Sequence, residues 1–147
     1  MVDGIALYRH GAELVRELSA APNPAALRKL FEVRTAVWKY PIQGQECFTI
    51  GTFGDIELAP EAAFQLVGTA AEIMLGQTDP DLTVTAGFLL LEIIQASQTT
   101  QLPESLEQRW DAAIAKLASV TGEAQSDAGI ALDAISRWYR RPIRAGT

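Results

Sequence analysis

Apolar residues recur every three or four positions through six segments of this chain, and this helical spacing is the feature that most constrains its fold. Four of the segments open with a proline, which is tolerated in the first turn of a helix: Pro24, Pro60, Pro80 and Pro103. A chain of 147 residues with 48% apolar content can bury a substantial core without disulfides. We therefore predict an all-α fold.

The six predicted helices cover residues 3–19, 23–40, 61–75, 80–97, 103–120 and 126–141. They pair as three αα-hairpins of one domain, 1–147, with helices 1 and 2 in 1–40, helices 3 and 4 in 60–97, and helices 5 and 6 in 103–141. The last two hairpins start about 43 residues apart, a period typical of HEAT repeats. Because the segments share little residue-level similarity, an up-down bundle of six helices fits the same pattern.

One long connection, residues 41–59, departs from the helical spacing. It contains three glycines and two phenylalanines, and its alternating β-forming residues indicate short strands or a β-turn. Connections of this length are unusual in compact helical domains and are often functional. We refer to it as the aromatic loop.

Acidic residues dominate the middle of the chain. Residues 40–108, here called the acidic segment, carry ten carboxylates and no lysine or arginine, whereas residues 1–39 and 109–147 each carry six basic residues against four acids. Nucleic acid is a poor partner for such a segment, because phosphates are bound by clustered Lys and Arg. The pattern favours a basic protein as the partner.

Residues typical of catalysis and metal binding are scarce. Cys47 is the only cysteine and His10 the only histidine, so a metal site with several His and Cys ligands is excluded and no nucleophile context is recognisable. Charges interrupt the N-terminal segment, unlike a signal peptide, and the longest apolar run is broken by Glu92. We expect a cytoplasmic, non-enzymatic protein with no cofactor, no metal and no membrane association.

Several residues have both a structural and a functional interpretation. Asp79 and Asp81 flank a proline and could bind a hard cation, but a helix cap and a first-turn acid explain them more simply. Trp38, Trp110, Trp138 and Tyr139 could form an aromatic cage around a cofactor, but their helical phase favours the core.

Two charged residues stand within apolar helical faces. Glu92 lies in the apolar fourth helix, and Arg34 lies in the apolar stripe of the second. Removing one partner of a buried ion pair costs several kcal/mol, so Arg34→Met would test the hypothesis that these two residues form such a pair.

The last hundred or so residues carry a Leu-rich helix ending at Ser97, a Thr100-x-Leu-Pro103 connection, Trp110, and a closing Trp138-Tyr139-Arg140. This combination resembles small helical immunity proteins that bacteria make against the toxins of polymorphic and type VI secretion systems. The resemblance implies a cytoplasmic antidote that binds one cognate toxin and blocks its active site or substrate entry. Immunity proteins against nucleases are often acidic, which agrees with the acidic segment.

The leading hypothesis is a non-enzymatic protein-binding module, most specifically an immunity protein that occludes a basic toxin. Aromatic anchors would supply desolvated contact area, and carboxylates would accelerate encounter with a basic surface. The predicted partner-binding residues are Phe48, Phe53, Asp55, Glu57, Glu61, Asp79 and Asp81.

Two alternatives come from other functional classes. The first is a small-molecule-binding or enzymatic helical domain with a pocket between helices 3 and 4, lined by Phe64, Phe88 and Leu89. The second is a subunit of a homo-oligomer, which an exposed apolar patch would indicate.

Overall fold

The computed structural model describes residues 4–39 and 58–141, apart from the side chains of residues 4–8, 34 and 37–39. Within these ranges the chain forms seven α-helices, one short 3-10 turn and no strand, which confirms the predicted all-α class. The helices are α1 (Gly4–Ala20), α2 (Pro24–Lys39), α3 (Pro60–Leu75), α4 (Pro80–Ala96), α5 (Glu104–Glu107), α6 (Trp110–Ala118) and α7 (Gln125–Tyr139). Of the aromatic loop, Leu58 and Ala59 are described, and the rest lies outside the described residues.

The helices pack as three consecutive hairpins. α1 packs on α2, α3 on α4, and α6 on α7. The outer hairpins both lie against the central one: α2 contacts α3 and α4, while α6 contacts both and α7 contacts α4. This stacking of hairpin on hairpin matches the HEAT-like alternative, in which each repeat packs on its neighbours.

Among the described residues, the central hairpin supplies six of the eleven largest fully buried side chains, as its nearly continuous apolar sequence requires. Leu66, Met74, Leu89 and Leu90 are almost completely buried. Two glycines allow the neighbouring helices to approach closely. A Cβ placed on Gly68 would lie 2.6 Å from the Cβ of Ser105, and one on Gly87 would lie 2.9 Å from Cδ2 of Leu117.

The predicted helix over residues 103–120 is instead two helices, α5 and α6, separated by Gln108 and Arg109. The backbone of Arg109 has φ −109° and ψ 4°, and its N–H donates to the carbonyl of Leu106 (2.9 Å). The Arg109 side chain takes the acceptor that a continuous helix would use, because Nη1 donates to the carbonyl of Ser105 (2.8 Å). A side chain has replaced one backbone hydrogen bond, and the helix turns at that point.

The last helix carries several apolar residues, and Ile130 is not among those that the fold buries. The buried face of α7 consists of Ala128, Ala131, Leu132, Ile135, Ser136 and Tyr139. Ile130 points away from this face and is 56% exposed. The reason is geometrical: at about 100° per residue, Ile130 is about 140° from Ile135 around the helix.

Candidate functional site

The predicted partner-binding residues fall into two groups. Phe48, Phe53, Asp55 and Glu57 lie outside the described residues. Glu61, Asp79 and Asp81 are described, and all three are exposed at or next to the N-terminus of a helix of the central hairpin. The structure therefore gives the surroundings of Glu61, Asp79 and Asp81.

Glu61 lies in the first turn of α3, directly after Pro60. It borders an open surface groove of about 430 Å³ between the start of α3 and the end of α4. The other lining residues are Pro60, Phe64, Gln65, Ser97, Thr99 and Gln101. Phe64 is half-buried, so this end of the hairpin presents an aromatic ring beside a carboxylate.

Asp79 is the N-cap of α4. Its Oδ1 accepts hydrogen bonds from the backbone N–H groups of Asp81 (2.8 Å) and Leu82 (3.1 Å), two donors that have no partner within the helix. The Asp79 carbonyl also accepts from Oγ1 of Thr83 (2.8 Å). These bonds give Asp79 the structural role that the capping interpretation predicts.

Asp81 lies in the first turn of the same helix but, unlike Asp79, does not cap it. Its side chain is exposed, and it forms no ion pair or hydrogen bond with the part of the chain that the structure describes. The same holds for Glu61. Both carboxylates lie in the first turn of a helix, at a surface open to solvent.

The structure does not bring Glu61 and Asp81 together. α3 and α4 are antiparallel neighbours, so their N-termini lie at opposite ends of the hairpin. A helix of 16 residues is roughly 24 Å long. A standard protein interface of about 800 Å² per partner is roughly 30 Å across, so a partner contacts both ends only if its interface extends along the whole hairpin.

Glu72 is the acid of the acidic segment that the fold uses most directly. Its Oε2 pairs with Nη2 of Arg28 and its Oε1 with Nη2 of Arg109, each at 2.6 Å. The bases come from either side of the acidic segment, and the two ion pairs join α2, α3 and the turn between α5 and α6. Because residues 40–108 contain no lysine or arginine, basic partners for their acids have to come from the rest of the chain. The sequence does not indicate that Glu72 alone would bind two of these basic residues.

Glu92, His10 and Cys47 are the other residues for which the sequence allows a chemical role. Glu92 is half-buried and engaged, but the side chain of Arg34 lies outside what the structure describes, so their pairing stays a hypothesis. His10 is half-buried, and Cys47 lies outside the described residues. Within the described ranges, no three His, Cys, Asp or Glu side chains are grouped as a metal site would require.

The aromatic residues of the last hairpin form part of the core, as predicted. Trp110 is 3% exposed and meets Tyr139 edge-on, with ring centroids 6.0 Å apart. The guanidinium of Arg141 lies 5.0 Å above the Trp110 ring. Nε1 of Trp138 donates to the carbonyl of Thr99 (2.8 Å), which holds the α4–α5 connection against α7.

Tyr139 is the exception within this cluster. Its hydroxyl is buried, and no hydrogen-bond partner for it exists among the described residues. Burial raises the pKa of the Tyr139 phenol.

The three residues proposed to line the alternative pocket between helices 3 and 4 have different surroundings in the structure. Leu89 is buried in the core, Phe88 packs against the core, and Phe64 lines the groove at the hairpin end. A second groove, of about 310 Å³, lies between α2 and α3 and is bordered by Arg28, Glu72 and Gln77. Neither groove brings the three predicted pocket residues together.

Comparisons of the chain with protein-family models, with curated proteins and with solved structures found no significant match. In the part of the chain that is described, no helix is long and apolar enough to cross a membrane.

Proposed function

We propose that this protein is a non-enzymatic protein-binding module, and specifically an immunity protein that neutralises a cognate basic toxin by binding and occluding it. The observation that supports the proposal most directly is the state of Glu61 and Asp81. Both are exposed, and neither is paired with a described residue, although six basic residues flank the acidic segment on each side.

The distribution of charge between fold and surface supports a role in recognition. Glu72 is neutralised by two arginines, whereas the carboxylates at the helix starts remain available to a second molecule. Acids without a partner in the fold attract a basic molecule over several ångströms and accelerate its encounter.

The groove beside Glu61 supports an anchoring role for the same end of the hairpin. An open groove with a half-buried phenylalanine and a bordering carboxylate can accept an apolar side chain of the partner beside a basic one. The predicted contacts of the aromatic loop, Phe48, Phe53, Asp55 and Glu57, precede Glu61 in sequence and extend this proposal.

The test begins with the neighbouring reading frame. The proposal expects it to encode a secreted protein with a toxic C-terminal domain, and that domain is the probe. The purified chain should bind the domain in calorimetry, restore growth of cells that express it, and bind less tightly at 0.5 M than at 0.1 M salt. A domain that does not bind, or that is not toxic, would contradict the immunity proposal.

Charge reversal locates the surface. Asp81→Lys and Glu61→Lys should each weaken binding about tenfold or more, because like charges then face a basic partner. Asp111→Lys is the matched control, since Asp111 is also an exposed acid in the first turn of a helix, α6. Equal weakening by the control would move the interface away from the central hairpin.

A further inference from the structure

The outer face of α7 carries an exposed apolar residue that the fold does not use. Ile130 is 56% exposed, and among the described residues it is the one large apolar side chain that is more than half exposed to solvent. Gly129 beside it has no atom within 4 Å of the position a Cβ would take, so the backbone here is also open. Single exposed apolar residues are common on protein surfaces, so the charges around Ile130 decide whether this face can bind a partner.

The residues in line with Ile130 form an ordered charge pattern. At intervals of three, four and three positions, one stripe runs along the outer face of α7. Its members are Asp127, Ile130, Ala134 and Arg137. The N-terminal part of this stripe is acidic, the middle is apolar, and the C-terminal part is basic. We call it the α7 stripe.

The charges of the α7 stripe are complementary to those of a second α7 stripe that runs in the opposite direction. Asp127 and Arg137 lie five positions on either side of residue 132, and Ile130 and Ala134 lie two positions on either side. An antiparallel copy would therefore place acid opposite base and Ile130 opposite Ala134 along the whole stripe.

We propose that the α7 stripe is a self-association surface, on which a second copy of this chain packs antiparallel about a two-fold axis near residue 132. The two-fold axis makes each pair occur twice, as in any isologous interface. A parallel arrangement would place Asp127 opposite Asp127 and Arg137 opposite Arg137, so the charges select the antiparallel one. The proposal is independent of the identity of a toxin partner.

The contacts that the stripe residues make within one copy of the chain leave their side chains accessible to a second copy. Nε of Arg137 lies 3.1 Å from Oδ2 of Asp133, but the Arg137 side chain is 80% exposed, so its guanidinium can also face a partner's carboxylate. Asp127 is exposed and makes no ion pair with a described residue.

The size of the surface sets the expected strength. A helix of 15 residues is about 22 Å long, and one helix from each copy buries less area than the roughly 1,200–2,000 Å² of a stable interface. We therefore expect a weak dimer, with a dissociation constant of about 10–500 μM, that weakens as salt is raised. Sedimentation of the full chain from low to high concentration would measure it.

Three variants and their combination test the geometry. Ile130→Glu, Asp127→Arg and Arg137→Glu should each weaken dimerisation about tenfold or more, because every substitution acts at two symmetric places. The double variant Asp127→Arg with Arg137→Glu should restore dimerisation, because it exchanges the two charges. The matched control is Asp111→Arg, an acid in the first turn of α6, which should leave dimerisation unchanged.

Two results would overturn the proposal. The first is a wild-type chain that stays monomeric up to about 1 mM, beyond the affinity that even a small interface provides. The second is a double variant that dimerises no better than the single ones, with unchanged melting temperatures showing that all variants are folded. In that case the reversed pairing would be wrong even if the chain self-associates.

Discussion

Arg109 and Glu72 are joined by an ion pair of 2.6 Å, and the same guanidinium holds the carbonyl of Ser105 at 2.8 Å. One side chain thus ends α5, starts the turn into α6 and attaches both to α3. Arg109 is the less exposed of the two arginines at Glu72, at 32% against 48% for Arg28. Its planar guanidinium can satisfy both acceptors at once, which a lysine ammonium cannot do in the same geometry.

We predict that Arg109→Ala lowers the free energy of unfolding by about 1–2 kcal/mol, and that Arg28→Ala lowers it by only about 0.5 kcal/mol. Arg28 contributes a half-exposed ion pair, whereas Arg109 also satisfies the Ser105 carbonyl. Urea unfolding of both variants measures the difference, with Arg16→Ala on exposed α1 as the control. Equal losses for the two arginines would show that the bond to Ser105 contributes nothing.

The same residue explains where sequence reasoning about the fold succeeded and where it failed. Helical spacing, prolines and the Asp79 cap are local signals, and they located α2, α3 and α4 to within a residue or two at their described ends. At the break, Arg109 bonds to the carbonyl of Ser105 and also pairs with Glu72, which is 37 residues away in sequence. The spacing of apolar residues carries no information about either polar contact, so the predicted fifth helix ran through the break.

The exposure of the candidate binding residues was likewise only partly predictable from the sequence. The exposure of Glu61 and Asp81 followed from their places at helix starts, which was predictable from Pro60 and Pro80. The exposure of Ile130 was not, because α7 has apolar residues on more than one side and only packing decides which side is buried. Distances between helix ends likewise depend on which helices are antiparallel neighbours, and this separates Glu61 from Asp81.

We predict that Gly68→Ala destabilises the protein by about 1–2 kcal/mol, although alanine is normally the better helix former. The added methyl would lie 2.6 Å from both the Cβ and the Oγ of Ser105, so α3 and α5 would have to separate. Gly129→Ala is the control, because nothing lies within 4 Å there, and we expect it to stabilise by about 0.5–1 kcal/mol. Thermal unfolding at low protein concentration compares them. A Gly68→Ala variant as stable as Gly129→Ala would contradict the close approach of α3 and α5.

We predict that Tyr139→Phe leaves stability at pH 7 unchanged or raises it by up to about 1 kcal/mol, because it removes a buried hydroxyl that has no described partner. Burial raises the pKa of Tyr139 above its ordinary value of 10.0, so the folded state keeps the phenol proton that the unfolded state releases. Stability from this group is complete below pH 10 and is lost as pH rises further. The wild-type chain should therefore lose stability above pH 10 more steeply than Tyr139→Phe in urea unfolding series. Parallel curves would show that Tyr139 ionises equally in both states.

The last prediction separates stability from recognition at one helix terminus. Asp79 accepts two backbone N–H bonds, so Asp79→Ala should cost about 1 kcal/mol of folding stability, while Asp79→Asn, which keeps an accepting oxygen, should cost much less. Asp81, two residues later, makes no side-chain hydrogen bond or ion pair with described residues, so Asp81→Asn should change the melting temperature little.

The effect of removing the Asp81 charge should appear in binding to a basic partner. Asp79→Asn and Asp81→Asn each remove one charge, so their effects on binding can be compared directly. If the two amide variants weaken binding equally, both aspartates contact the partner. If only Asp81→Asn weakens it, the cap is structural and the partner contacts the helix start through Asp81. A large drop in the melting temperature of Asp81→Asn would show instead that this acid serves the fold.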